Sequence, residues 1–248
     1  MRKISSIIVL SFCMLNIPKD VNAENPSFTL YTGAYSNYLL DNGMVFHNDP
    51  VLQSELMINL PKGFYLDMWH SIGMDGSGPS SGLDDELDYT AGWKGDIKGL
   101  TLNIGILYMD IVDILNVPRG DVVLPYAEAG KVLSLTETQI LNPFAKVQPA
   151  ISAKGDYPKG GLYWGTGLRH LYQINPKMGL GEELMFIHDS GAFGFDNGWL
   201  FKYAVNVNRK LFGPFSLDFP MLKFTAPLSG MNDRKKETSV GVRLGMNF

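Results

Sequence analysis

One short motif in this chain has the residue types of a catalytic pair. His188 and Ser190 stand two residues apart in Ile187-His188-Asp189-Ser190-Gly191. Residues two apart on a β-strand share one face, and an imidazole beside a serine hydroxyl can activate that hydroxyl toward an ester. The motif therefore allows a lipid hydrolase at a membrane surface as one alternative. No third residue that would orient the histidine can be assigned, and Asp189 and Gly191 also suit the start of a loop.

A second group of candidates is charged, and its two signs separate along the chain. The acidic members come first and the basic members later: Glu55, Asp67, Glu86 and Asp88, then Lys146, Arg169, Lys202 and Arg243. If one closed sheet turns these side chains inward, the two signs occupy different walls of a lumen. Such a field would orient polar or zwitterionic solutes. The same groups could instead pair across the interior and plug a narrow barrel, and the sequence leaves both interpretations open.

Metal and cofactor chemistry is not expected. The histidines His47, His70, His170 and His188 have no ligand spacing, and no glycine motif that binds phosphate is present. Asp75, Asp84, Asp85 and Glu86 could gather a calcium ion, but an acidic loop in water is the simpler interpretation. We expect no catalytic residue, no metal and no cofactor.

The N-terminal segment has the parts of a cleaved secretory signal peptide. Arg2 and Lys3 precede an apolar run, and Val21-Asn22-Ala23 offers small side chains for cleavage. We expect residues 1–23 to be the signal peptide and residues 24–248 to be one barrel domain. Cleavage removes Cys13, the only cysteine, so the exported protein would contain no disulfide. It also reduces 21 basic residues to 18 and 25 acidic residues to 24, a formal charge of −6, which argues against nucleic acid as a partner.

Strands must position the charged residues, because no apolar stretch after Glu24 approaches the roughly 20 residues of a membrane helix. The last segment is the clearest: apolar residues occupy alternate positions from Val240 to Phe248, with polar or small residues between them. The apolar face is expected to contact lipid. We predict twelve strands, near 28–39, 50–60, 63–72, 85–94, 99–109, 122–133, 139–152, 161–172, 177–188, 199–208, 214–224 and 237–248. This is an all-β, up-and-down, antiparallel transmembrane β-barrel.

The connections and the aromatic residues support the same prediction. Short connections alternate with long ones, such as residues 41–49, which should face outward. The sixth and seventh strands are the weakest, since Pro125, Pro143 and Pro149 each remove a ladder hydrogen bond. In a closed barrel the last strand should pair with the first. Nine aromatic residues could form interfacial girdles: Tyr31, Tyr35, Tyr38, Trp93, Tyr108, Tyr163, Trp164, Tyr172 and Trp199.

The C-terminus resembles the assembly signal of bacterial outer-membrane barrels. Phe248 is the last residue, and apolar residues precede it at every second position. This resemblance implies that the barrel-assembly machinery recognises the last strand. It also implies outer-membrane lipid as the surroundings of the barrel in a Gram-negative bacterium.

A second resemblance covers roughly residues 28–110. Ser36-Asn37-Tyr38, Pro50-Val51-Leu52-Gln53, Gly63-Phe64-Tyr65 and Glu86-Leu87-Asp88 occur in an order similar to that of the TorF-like family of outer-membrane porins, also called Gcw-chp. The resemblance implies an outer-membrane barrel. We therefore expect a porin-like channel for passive diffusion of small polar solutes. A barrel that is plugged and purely structural is the first alternative, and the hydrolase is the second.

Overall fold

Twelve long antiparallel strands run up and down and close into one barrel, as the sequence predicted. The computed structural model describes residues 25–74, 86–111, 120–155 and 158–248. The barrel strands are β1 (Ser27–Tyr35), β4 (Val51–Asn59), β5 (Phe64–Gly73), β6 (Glu86–Ile97), β7 (Leu100–Asp110), β8 (Val122–Gly130), β10 (Gln139–Ser152), β11 (Gly161–Asn175), β12 (Met178–Ser190), β13 (Asn197–Lys210), β14 (Phe215–Ser229) and β15 (Glu237–Asn247). The short strands β2 (Tyr38–Leu39) and β3 (Val45–His47) pair with each other, and β9 (Leu133–Ser134) pairs with β10. Within these ranges no helix has the length and hydrophobicity needed to cross a membrane.

Closure of the barrel joins the two ends of the chain. Strand β15 pairs with β1 from Thr29 opposite Asn247 to Tyr35 opposite Gly241. Two further backbone bonds extend this seam, since Phe248 N–H donates to Phe28 O at 2.9 Å and Phe28 N–H donates to Phe248 O at 3.3 Å. Every barrel strand therefore has a partner on both sides, which a sheet in lipid requires.

The connections at one end of the barrel are mostly short and those at the other end are mostly longer, although residues 131–138 are an exception at the short end. At the turn end the connections are residues 60–63, 98–99, 131–138, 176–177 and 211–214, and at the loop end they are residues 36–50, 74–85, 111–121, 153–160, 191–196 and 230–236. The tightest turn holds Lys98 and Gly99, both with positive φ (55° and 82°). Such two-residue turns match the twist of the strands that they join.

Alternation along the strands puts apolar side chains on the outside. Exposed residues include Leu66, Ile104, Phe186, Val240 and Leu244, whereas the intervening Arg243 is 3% exposed. This is the predicted orientation of β15, and it gives the barrel an apolar exterior of the kind that faces lipid.

The aromatic prediction was only partly correct. Tyr31 and Tyr38 are buried inside the barrel, the hydroxyl of Tyr35 reaches Met221 of the interior, and Tyr163 packs on an interior cluster. Trp93, Tyr108, Trp164, Tyr172 and Trp199 occupy outward positions. A position near a strand end does not determine whether a side chain faces the interior or the lipid. The even or odd position of the residue along its strand determines this.

Several strand bounds differ from the sequence prediction: β6, β11 and β14 extend three to five residues further, to Ile97, Asn175 and Ser229, whereas β1 and β8 end early. Strand β1 ends at Tyr35 instead of residue 39, because the chain turns into the barrel and buries Tyr38 and Leu39. The sixth barrel strand, β8, ends at Gly130 instead of residue 133. The pairing of β8 with β10 is interrupted between Ala127 and Val123, where Pro125 has no N–H to donate.

Some predictions concern residues outside the described ranges. These are the signal peptide, Cys13, and the acidic residues Asp75, Asp84 and Asp85.

Candidate functional site

The interior of the barrel contains the charged residues singled out in the sequence. All eight lie on inward positions of their strands, and six of them are at most 8% exposed: Glu55, Glu86, Asp88, Arg169, Lys202 and Arg243. A cavity of about 860 Å³ runs along the axis, from Phe28 and Phe248 at the turn end to Asn42 and Phe193 near the loop end. Five of the eight line this cavity: Glu55, Asp67, Asp88, Lys146 and Lys202.

Arg169 is fixed by two carboxylates on its own side of the barrel. Its Nη1 and Nη2 donate to the two oxygens of Glu128 at 2.5 and 2.9 Å, and its Nε donates to Glu183 Oε2 at 2.7 Å. Glu183 lies directly opposite Arg169 on the neighbouring strand. The guanidinium also covers the ring of Phe144 at 3.7 Å. Arg169 is thus held in one position by bidentate, charge-assisted bonds.

Lys202 connects this wall to a segment that enters the barrel. Its Nζ lies 2.7 Å from Glu183 Oε1 and 2.7 Å from Asp41 Oδ2, and Lys223 Nζ lies 3.1 Å from Asp41 Oδ1. Burial opposes ionisation of Asp41, but Lys202 and Lys223 outweigh it and hold the pKa of this carboxyl below its ordinary value. Lys223 Nζ also donates to Leu39 O at 2.9 Å. Asp41 is therefore the ionic anchor of the segment.

We call residues 38–47, which contain β2 and β3, the inward segment. The sequence predicted that residues 41–49 face outward, but the structure buries Asn42, Met44 and His47 inside the barrel. Arg234 Nε donates to Asn42 O at 3.2 Å and Arg234 Nη2 donates to Asp189 Oδ2 at 2.9 Å. These bonds help to hold the segment inside the barrel, where it occupies part of the space that the strands enclose.

Apolar packing accompanies the inward segment at the loop end. A buried cluster of Met109, Ile111, Val122, Leu124, Ala150 and Ala192 contacts Phe46 and Phe193. Asn42 Nδ2 also donates to Tyr163 Oη at 2.7 Å. The inward segment is therefore held at the loop end by apolar packing as well as by ionic contacts.

Arg243 forms the third ionic group, beside the seam. Its Nε and Nη2 donate to Asp218 Oδ2 at 3.0 and 2.9 Å, and its Nη1 lies 3.7 Å from Glu55 Oε2. Arg243 and Asp218 are opposite each other on β15 and β14. Glu55 belongs to β4, so this contact crosses β1 and ties together both sides of the seam.

The acidic wall has fewer partners. Tyr38 Oη donates to Glu86 Oε2 at 2.9 Å, and the Tyr38 ring packs on Trp69 with 5.3 Å between centroids. In the described part of the chain, Asp67 Oδ1, Glu86 Oε1 and Asp88 Oδ1 have no hydrogen-bond partner. The carboxyl groups of Glu86 and Asp88 interact with each other. Asp67 and Asp88 border the cavity, whereas Glu86 does not.

The expectation of two oppositely charged walls needs correction. Glu128, Glu183, Asp218 and Asp41 neutralise the basic wall, and the ion pairs join mostly near neighbours instead of crossing the lumen. Strand parity and cross-strand register could have found the first three of these acids. No pattern in the sequence indicated that Asp41 lies inside.

His188 and Ser190 share one face, as predicted, and it is the outer face. His188 packs between Trp164 and Trp199, with centroid distances of 5.4 and 5.0 Å. Ser190 Oγ accepts the N–H of Leu162 at 2.8 Å. The pair thus belongs to an aromatic group on the outside of the barrel near its loop end. Among the described residues no group of three or more histidine, cysteine, aspartate or glutamate side chains could hold a metal ion.

The comparisons with known proteins rest on structure alone. No protein-family model matches the chain, and no curated protein matches it in sequence. The fold is similar to an outer-membrane channel from Pseudomonas putida F1 (15% identity, 93% of this chain and 99% of that chain, TM-score 0.54) and to the KdgM porin (11%, 88% and 97%, 0.52). It is also similar to LpxR from Salmonella typhimurium (7%, 88% and 99%, 0.53). At these identities the likeness shows the fold: this chain has the closed β-barrel fold of outer-membrane proteins.

Proposed function

We propose that this protein is a porin-like channel for the passive diffusion of small polar solutes. One observation carries the proposal: a cavity of about 860 Å³ lined by charged side chains of both signs lies inside a barrel with an apolar exterior. A structural barrel that needed only stability would be better served by apolar packing, because burying charge requires compensation.

The lining suits polar solutes that move along the axis. Asp67 and Asp88 line one wall of the cavity, and Lys146 lines another. Fixed charges of both signs replace part of the hydration of a dipolar solute and orient it. The inward segment occupies part of the lumen, so the channel should favour small molecules.

The location of the channel is part of the proposal. The apolar exterior, the seam at Phe248 and the expected signal peptide all suit the outer membrane of a Gram-negative bacterium. The barrel-assembly machinery would recognise the last strand, and membership of the TorF-like family of porins is the assignment that the sequence motifs favour.

A plugged barrel is the second candidate, and the inward segment favours it. Asp41, Asn42 and Leu39 are all bonded to side chains of the barrel or of its loop-end connections. A segment fixed at so many points could close the lumen to solutes, as loops do in some barrels.

Single-channel recording in a planar bilayer separates the first two candidates. The refolded protein should produce discrete ion-carrying steps, while empty detergent and heat-unfolded protein should produce none. A barrel that folds and inserts, as judged by heat-modifiable migration on gels, but never conducts would contradict the channel and support the plug.

A further inference from the structure

Two lysines inside the barrel differ from all its other cations. Arg169, Lys202, Lys223, Arg234 and Arg243 each form an ion pair with a carboxylate. In the ranges that the structure describes, Lys94 and Lys146 form no ion pair, although both line the cavity. Glu128 attracts both lysines and Asp41 attracts Lys146, but among the described residues neither ammonium group has a carboxylate within ion-pair distance.

Strand register places both lysines in one row. Lys94 lies opposite Asn103, Asn103 opposite Glu128, and Glu128 opposite Lys146, across β6, β7, β8 and β10. Glu128 stands between the lysines, but Arg169 binds both of its oxygens. The carboxylate in this row is thus bound by a guanidinium on both oxygens and attracts the two lysines without forming an ion pair with either, so both ammonium groups keep donors for a solute.

Two tyrosines lie in the adjacent row, on the loop-end side. Tyr65 and Tyr126 cover Gly92 and Gly105, where a Cβ would come within 2.5 and 2.6 Å of the tyrosine hydroxyls. Only glycine lets the rings lie this close to the sheet. The two hydroxyls contact each other, and Lys146 Nζ is 5.7 Å from the centre of the Tyr126 ring.

The tyrosines also orient the amide between the lysines. Tyr65 Oη donates to Asn103 Oδ1 at 2.9 Å, so the remaining polar atom of this side chain is a donor, Nδ2. Two ammonium groups and an amide nitrogen thus stand in one row beside flat aromatic rings. The nitrogen donors can bind a carboxylate group, and the tyrosine rings can contact the apolar part of the same molecule, so the group suits an organic anion.

We infer that Lys94, Lys146 and Asn103 form a binding subsite for carboxylate-bearing solutes, with the rings of Tyr65 and Tyr126 packing against the carbon frame of the solute. This inference rests on the proposed function, since it names the solute class that the channel would favour. The subsite lies in the turn-end half of the barrel, where the cavity reaches the mouth.

Binding of sodium benzoate tests the subsite independently of conduction. Isothermal titration of the refolded protein in zwitterionic detergent should show benzoate binding, and benzamide, an uncharged molecule of similar shape, should bind at least several-fold more weakly. Replacing Lys94 and Lys146 by methionine should weaken benzoate binding on the order of tenfold, the usual effect of losing charge-assisted hydrogen bonds. Lys177→Met, in an exposed turn, is the matched control and should bind as the wild type does.

Each outcome bears on one proposal. Equal affinity for benzoate and benzamide, or unchanged affinity in both single variants Lys94→Met and Lys146→Met, would overturn the subsite even if the protein conducts. If the barrel binds benzoate, loses this binding in the variants and yet never conducts, that result would support the subsite and contradict the channel. Substitution of both lysines by arginine keeps the charge and should preserve binding if the double methionine variant does not fold.

Discussion

Arg243 and Asp218 face each other across β15 and β14, and two guanidinium nitrogens donate to one carboxylate oxygen at 3.0 and 2.9 Å. Their side chains are 3% and 1% exposed. Because Glu55 also contacts Arg243, this group connects strands on both sides of the seam. The same ion pairs therefore hold the barrel closed and neutralise buried charge in its interior.

Breaking this pair should destabilise the barrel strongly. Arg243→Met leaves Asp218 buried without its cation, and such a loss costs about 3 to 5 kcal/mol in proteins. Urea unfolding in lipid vesicles, followed by tryptophan fluorescence, measures the change. Combining Arg243→Met with Asp218→Asn should recover part of the loss. Full wild-type stability in the single variant would contradict a structural role for the pair.

Neutralising Asp41 should release the inward segment. Asp41→Asn removes the ionic contact of the segment with Lys202 and Lys223, while Lys202 keeps Glu183, so the segment should be held less firmly and the lumen should widen. Single-channel conductance should increase, or a silent barrel should begin to conduct. Asp49→Asn, an exposed acid in the same connection, is the control and should change nothing. A conductance equal to that of the wild type would show that Asp41 does not hold the constriction.

The Asp41 anchor should also survive mild acid. Its pKa is held below the ordinary value of 3.8, so its ion pairs contribute fully above about pH 4 and are lost only as the pH falls further. Between pH 7 and pH 5, the conductance of the wild type and that of Asp41→Asn should therefore depend on pH in the same way, with no additional change in the wild type. Such an additional change would mean that the carboxyl titrates in the ordinary range and that the anchor is weaker than its contacts indicate.

Phe248 should matter more for assembly in cells than for stability. Its ring is 67% exposed, and its structural contribution to the seam comes from backbone bonds that any residue can make. Phe248→Ala should lower the amount of folded protein in cells several-fold yet refold normally into vesicles. Phe212→Ala removes an equally exposed ring at the turn end and should affect neither. Normal assembly of Phe248→Ala would contradict the proposed signal.

Replacing Ser190 should not remove an enzymatic activity. Its hydroxyl is occupied by the N–H of Leu162, so Ser190→Ala should cost at most about 1 kcal/mol of stability. Hydrolysis of phospholipid vesicles by wild type and variant should match that of protein-free vesicles. Cleavage by the wild type that the variant loses would instead favour a hydrolase at His188 and Ser190.

Most of the fold followed from the sequence because one rule, alternation with period two, governs most of the strand residues. It is interrupted in β14, where the register shifts between Asp218 and Met221, so that Asp218 and Lys223 both face inward. The rule placed β15 with Arg243 inside and Leu244 outside, and it also oriented Lys202 correctly. It fails where the chain leaves the sheet. Residues 36–39 continue the β-like pattern of β1, but Tyr38 meets Glu86 inside the barrel, and only the tertiary structure shows this.

The site was less predictable because pairing depends on register. Glu183 and Asp218 become partners of Arg169 and Arg243 only when neighbouring strands align. The sequence supplied the candidates without the alignment, so the two walls looked more highly charged than they are. Lys94 could not be singled out from the sequence, because no pattern around it differs from that of other strand residues. Only the folded barrel shows that it lines the cavity without an ion pair.

The inward segment should be inaccessible to reagents that are added outside the cell. In the proposed outer-membrane orientation, residues 38–47 belong to the first loop on the cell surface, and an epitope tag there would be the standard way to map it. Because these residues are bonded within the barrel, antibodies, phage and added proteases would not reach them on intact cells. A tag inserted at Gly43 would therefore give a negative signal that wrongly suggests a periplasmic location.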